Sequence, residues 1–274
     1  MKSILTLICF MVCLTAFSQQ NAEPKTQLYV IGTFHFPTKK VNADTIYKAI
    51  LNVKPDLVLI EAGSRNFNKD FSFKITADEN EWNACKMYKK NYPKTDFRPH
   101  DIEERDEIRR KLGINDDNPI FDYITLKDSL NELAPKDARI WKRFILLNDS
   151  LNSYFDKGLE VVNDQVVDNL VNERQFYVYK KMAEIADNMP VTSKMPALKG
   201  SSLSMKEYNN RFSNFELRRN YEMSSHILNY LKKYKGKKIV VLVGFYHRYA
   251  ILEALRVIQT DYNFEIGEFY KARK

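Results

Sequence analysis

KKIVVLVGFYHRYAILEALR, residues Lys237 to Arg256, decides how this chain is read. Ile239 to Val243 is an unbroken run of β-branched residues and leucine, the pattern of a strand buried on both faces in a parallel sheet. Gly244 closes the run, and His247 follows three residues later. Beyond it Ala250, Ile251, Leu252, Leu255 and Ile258 recur at helical spacing. The stretch predicts a core strand, a turn that carries a histidine, and a helix leading away. In open α/β sheets ligands bind at such places, outside the carboxyl ends of the strands.

The same pattern stands near the other end of the chain. Gln27 to Phe36 reads QLYVIGTFHF, a strand with Gly32 near its end and His35 three residues on. One Gly-x-x-His says little. Two copies, each closing a core strand, would bring both imidazoles to one sheet edge if the strands are parallel neighbours. After Gly32, Asn42 or Asp44 can cap a helix with apolar positions Ile46, Ala49, Ile50 and Val53. Pro55 stops it, and Asp56 to Glu61 (DLVLIE) is the next buried strand. A βαβ unit of this kind crosses over right-handed and makes its strands parallel. Glu61 closes its strand as His35 closes the one before, so the two are expected side by side. An acid beside two strand-end histidines is a candidate for the site.

Asp78 to Tyr92 is expected to be helical. Asp96 to Ile102 reads either as a short third strand, kept to an edge by Pro99, or as a surface loop; His100 and Asp101 lie at its end. Residues 103–235 are mostly helical by pattern, with few glycines and with apolar spacings such as Ile140, Trp141, Phe144, Ile145, Leu147 and Leu151. The block reads as a large helical insertion or cap over the strand ends, with Lys194 to Ser204 as its linker. In its last helix Tyr208, Phe212, Phe215, Met223, Ile227, Leu231 and Tyr234 trace one apolar stripe. Position 219 of that stripe is arginine. A core-facing guanidinium needs an acid, and Glu61 is the candidate; otherwise Arg219 snorkels to solvent. Asn263 to Tyr270 alternates as a final half-exposed strand. Arg248, Tyr246 and Asp101 are candidates for substrate contact; otherwise Arg248 sits on the outer face of its helix and Tyr246 is a packing residue.

Composition narrows the functional classes. Met1-Lys2, the apolar run Ile4 to Leu14 and Ala16-Phe17-Ser18 form the three parts of a signal peptide over residues 1–18, so the chain is expected to be periplasmic or secreted. Its apolar run is too short for a stable membrane anchor. Residues 19–274 then form a single α/β domain with the helical insertion. Cys85 is the one cysteine left in it, so no internal disulfide and no zinc cluster of the Cys/His kind is expected. Net charge is +8, but the basic residues are scattered among acids along helical stretches. No basic block with interleaved aromatics suggests a nucleic-acid partner. The sequence does not set the oligomeric state.

Together IGTFH (Ile31 to His35), LVLIE (ending at Glu61), Arg219-Asn220 with Met223, and VLVGFYH (Val241 to His247) resemble the TraB/GumN/TIKI-like superfamily, to which erythromycin esterases and ChaN-like proteins are related. These elements bracket nearly all of residues 19–274, while the helical middle matches in character only. The resemblance implies an α/β core with a mixed, largely parallel sheet of two similar halves, and a hydrolytic site between them. It carries His35, Glu61, Arg219 and His247 over as the catalytic positions. The chain departs from the pattern at Phe36-Pro37-Thr38, where a small polar run is usual.

Two mechanisms fit these residues. In one, His35, Glu61 and His247 hold a divalent metal (Mn, Zn or Co) that acidifies a water. In the other no cofactor is needed: a histidine is the general base, Glu61 orients it, and Arg219 stabilises the oxyanion. Either makes the chain a hydrolase of peptidase or esterase type acting on a small-molecule or peptide substrate. The alternative is a non-catalytic periplasmic ligand-binding or signalling protein that keeps the fold.

Overall fold

In the computed structural model, which describes residues 24–116, 118–186 and 203–272, the two Gly-x-x-His strands lie side by side. The expected signal peptide and nearly all of the Lys194–Ser204 linker fall outside the described residues. The chain begins with β1 (Thr26–Thr33), α1 (Ala43–Val53), β2 (Leu57–Ile60), α2 (Asn80–Asn91) and β3 (Asp96–Pro99). Helices follow: α3 (Arg105–Leu112), α4 (Ile120–Ser129), α5 (Pro135–Asn152), α6 (Leu159–Val162) and α7 (Gln165–Phe176). A π-helical turn at Tyr177–Lys181 leads into α8 (Met182–Ala186). The long α9 (Met205–Lys233), β4 (Lys238–Gly244), α10 (Arg248–Ile258) and β5 (Phe264–Ile266) complete the fold.

The five strands are parallel throughout, in the order β3-β2-β4-β1-β5. The chain is therefore an α/β protein with helices around a parallel sheet. β1 pairs with β4 from Gln27↔Lys238 to Thr33↔Gly244, and β2 pairs with the other side of β4. This corrects one expectation: the strands ending near His35 and at Glu61 are not neighbours, because β4 lies between them. The reason is burial. β4 is the longest uninterrupted apolar run, buried from Ile239 to Gly244, and the centre of a parallel sheet is where both faces and both edges are covered.

Alternate strand residues serve opposite faces, as the period of two requires. Tyr29, Ile31, Val58, Ile60, Val240 and Leu242 pack with α1 and α2, while Leu28, Val30, Leu57, Leu59, Ile239, Val241 and Val243 pack with α9 and α10. α1 is capped as its sequence suggests, by Asn42, whose side chain accepts from Thr45 N while Thr45 Oγ1 accepts from Asn42 N. The edge strand at Asp96 forms, but stops at Pro99. The final strand is shorter than expected, because only Phe264–Ile266 pair with β1 before Gly267.

The helical stretch between β3 and β4 divides its work. Ile114, Ile120, Tyr123, Trp141, Phe144, Tyr179, Met182 and Phe215 make a second core beside the strand ends. α7 instead sends Val167 and Val171 into the core of the α1 side. α9 spans both regions: Tyr208 and Phe215 join the helical core, and Met223, Ile227 and Leu231 cover the sheet. Arg219 falls between the two, over the end of the sheet. No helix of the described residues is long and apolar enough to cross a membrane.

Candidate active site

A cavity of about 1000 Å³ opens at the carboxyl ends of β1, β4 and β2. Its wall includes His35, Glu61, Asp101, Arg219, Tyr246 and His247. Six of the seven residues singled out from sequence therefore face one space. Arg248 does not.

Both glycines of the paired motif work through close approach, not through an unusual backbone conformation. A Cβ on Gly244 would lie 3.2 Å from Glu61 Oε2, and that oxygen accepts the Gly244 N–H. A Cβ on Gly32 would meet Arg248 Cδ at 3.1 Å and Asn163 Oδ1 at 3.4 Å. The Asn163 side chain bridges the Gly32 peptide groups, accepting from N at 2.6 Å and donating to O at 2.9 Å. Each glycine thus lets a partner side chain reach the backbone at a strand end.

Arg219 is the hub. Its Nε and Nη2 donate to the two oxygens of Asp101 at 2.8 and 2.9 Å, and Nη2 also donates to Glu61 Oε1. Its Nη1 donates to His247 Nε2 at 3.1 Å and lies 3.7 Å from Glu216 Oε2. All three side chains of the Glu61–Arg219–Asp101 group are nearly inaccessible, at 6, 5 and 3% exposure. Burial alone would push the Glu61 carboxyl up, but the Arg219 cation, helped by the Gly244 N–H, brings it far below the usual carboxylate range. Asp101 follows the same balance and is also held low. Burial works against the guanidinium charge as well, and the two carboxylates more than offset it.

The proton positions on His247 follow from its partners. Arginine has no acceptor, so His247 Nε2 must present its lone pair to Nη1. The protonated nitrogen is then Nδ1, which donates to Asn220 Oδ1 at 2.6 Å. Burial, and after it Arg219, keeps this imidazole neutral by lowering its pKa. His35 is the opposite case. Its side chain is 46% exposed, its Nδ1 lies 3.4 Å from Glu81 Oε1 and 3.8 Å from Glu79 Oε2, and the Glu81 contact above all raises its pKa to about 9.

These contacts correct two expectations. A metal shared by His35, Glu61 and His247 does not fit, because both nitrogens of His247 and both oxygens of Glu61 are engaged, and the Arg219 cation stands between them. Arg248, a candidate for substrate contact or for the outer face of its helix, does neither: it is 2% exposed and serves the core. Its Nε donates to Val30 O at 2.9 Å, Nη1 to Asp168 and Nη2 to Glu268 Oε2 at 3.0 Å. Helix α10 turns position 248 inward against β1, where only hydrogen-bonded charge is tolerated. Asp101 lines the cavity, but its carboxylate is committed to Arg219. Tyr246 stays on the wall with its ring under the Arg174 guanidinium, 4.4 Å from the centroid.

Glu79 and Glu81 escaped the sequence reading. Acids at the start of a helix, Glu79 at the N-cap and Glu81 in the first turn, are ordinary partners of its dipole, so nothing local marks them. Asn163 and Glu216 were likewise invisible, since their partners are distant in sequence. No match was found among protein-family models, curated proteins or solved structures.

Proposed function

We propose that this chain is an exported hydrolase of the TraB/GumN/TIKI-like kind, acting on a small-molecule or peptide substrate held in the strand-end cavity. The observation that carries the reading is the meeting of His35, Glu61, Arg219 and His247 around one cavity. His35 is the accessible member, and Glu81 holds its ring as a carboxylate holds the histidine of a triad. In this reading His35, kept protonated at neutral pH by Glu81, gives its proton to the leaving group. The Arg219 cation, fixed by Glu61, Asp101 and His247, forms a preorganised positive wall for the charge that develops on the scissile carbonyl. Burial of the hub supports that role, because donors that need no reorganisation stabilise charge best in a water-poor site.

The test is hydrolysis of a panel of ester, amide and short peptide substrates by purified protein lacking residues 1–18. Activity that falls by about 10²–10⁴ in His35→Gln, with cooperative unfolding retained, supports the reading. Tight binding of panel members without turnover would replace it with the ligand-binding alternative.

A further inference from the structure

We propose that His35, Glu79 and Glu81 form a binding site for one divalent transition-metal cation at the mouth of the cavity. The donor atoms of these three residues all lie within 4.8 Å of one another. Ligands about 2.1 Å from a shared ion stand roughly 3–3.4 Å apart. His35 Nδ1 and Glu81 Oε1 already have that spacing at 3.4 Å, and Glu79 Oε2, at 3.8 Å from Nδ1, has to close in on both. Glu79 is 34% exposed along its side chain and sits at the helix start with no capping bond, so it is able to close in.

A second observation points the same way. Glu81 is 4% exposed, and its Oε2 meets no hydrogen-bond donor. Its other oxygen accepts from Thr33 Oγ1 at the end of β1. A buried carboxylate oxygen without a donor is costly, and a cation removes that cost. The scaffold is also fixed in advance. Asn80 N donates to His35 O at 3.1 Å, and Asn80 Nδ2 donates to Phe34 O at 2.8 Å. The loop that carries the imidazole is thereby fastened to the turn of α2 that carries both acids.

One imidazole and two carboxylates suit Mn²⁺, Zn²⁺ and their neighbours, with positions left for water or a substrate oxygen. The set differs from the His35, Glu61, His247 group and shares only His35 with it. The ion would take the lone pair of His35 Nδ1 and so replace the proton shared with Glu81; the assignment rests on these three donors and not on the role given to His35 in the hydrolase reading.

The experiment uses the chain without residues 1–18, stripped with chelator and titrated calorimetrically with Mn²⁺ and with Zn²⁺. One equivalent of either ion should bind and should raise the unfolding temperature. Glu81→Gln, Glu79→Gln and His35→Gln should each weaken binding by about 10- to 100-fold. Glu79→Gln keeps the test decisive if removing a buried group prevents folding, since Glu79 lies at the surface. Absence of binding at millimolar ion overturns the proposal. So does binding that survives Glu79→Gln and Glu81→Gln but is lost in His247→Gln. Metal uptake without turnover of any substrate would overturn the hydrolase reading and leave the metal site standing.

Discussion

Replacing Arg219 by methionine keeps an apolar stem of similar length and removes the charge that holds Glu61 and Asp101. Both carboxylates are nearly inaccessible. Unit charges about 4 Å apart interact by about 4 kcal/mol at an effective dielectric near 20, and Arg219 meets two of them. The full sum is not lost, because the stranded acids take up protons once the cation is gone. Removing one partner of a buried pair costs about 3–5 kcal/mol, and that is the expected loss at neutral pH. For a chain of this size it corresponds to a fall in unfolding temperature of about 10 °C. The sign of the pH dependence is fixed. In the native protein both carboxyls are held below their ordinary values, so their stabilisation is present above the unfolded pKa and lost as pH falls through the folded one. In Arg219→Met both rise above the ordinary range, so the deficit should shrink as pH falls toward the carboxylate range. Thermal unfolding of Arg219→Met, Glu61→Gln and the double variant, each at neutral and acidic pH, measures this. Strictly additive losses, or a deficit that does not change with pH, would refute the pairing as the source of stability.

Two further outcomes follow from other contacts. His35 in chelator-treated protein should titrate near 9 by NMR and move toward its ordinary value in Glu81→Gln; its contribution to stability is complete below about 6.5 and is lost as pH rises through about 9. Arg248→Met leaves Asp168 buried and unpaired, so it should cost about 3–5 kcal/mol by denaturant unfolding, while the affinity of any cavity ligand stays within a few-fold of native; loss of ligand affinity at unchanged stability would return Arg248 to the substrate.

The paired Gly-x-x-His strands, the Glu61 strand and the arginine within the α9 stripe were legible in the chain itself. Burial on both faces leaves a run of β-branched residues, and a charge in an apolar stripe demands a partner. These signals are local, so periodicity and burial chemistry expose them. The sequence therefore determined an α/β protein with its candidate site residues at the strand ends, and it named Glu61 as the partner of Arg219.

Tertiary structure decided the rest. β4 separates β1 from β2, which no local pattern encodes, because strand order depends on which run gains most from a central place. Asp101 turned out to share Arg219 with Glu61, as a second acid brought by an edge strand of only four residues. Arg248 points inward, since the packing of α10 against β1 sets the buried side of a helix whose sequence allows a charge on either face. Glu79 and Glu81 meet His35 across more than forty residues, and in sequence they are two common acids at a helix start. Contacts of that range are set by the folding of distant backbone segments onto one another, and they leave no periodic trace in the chain.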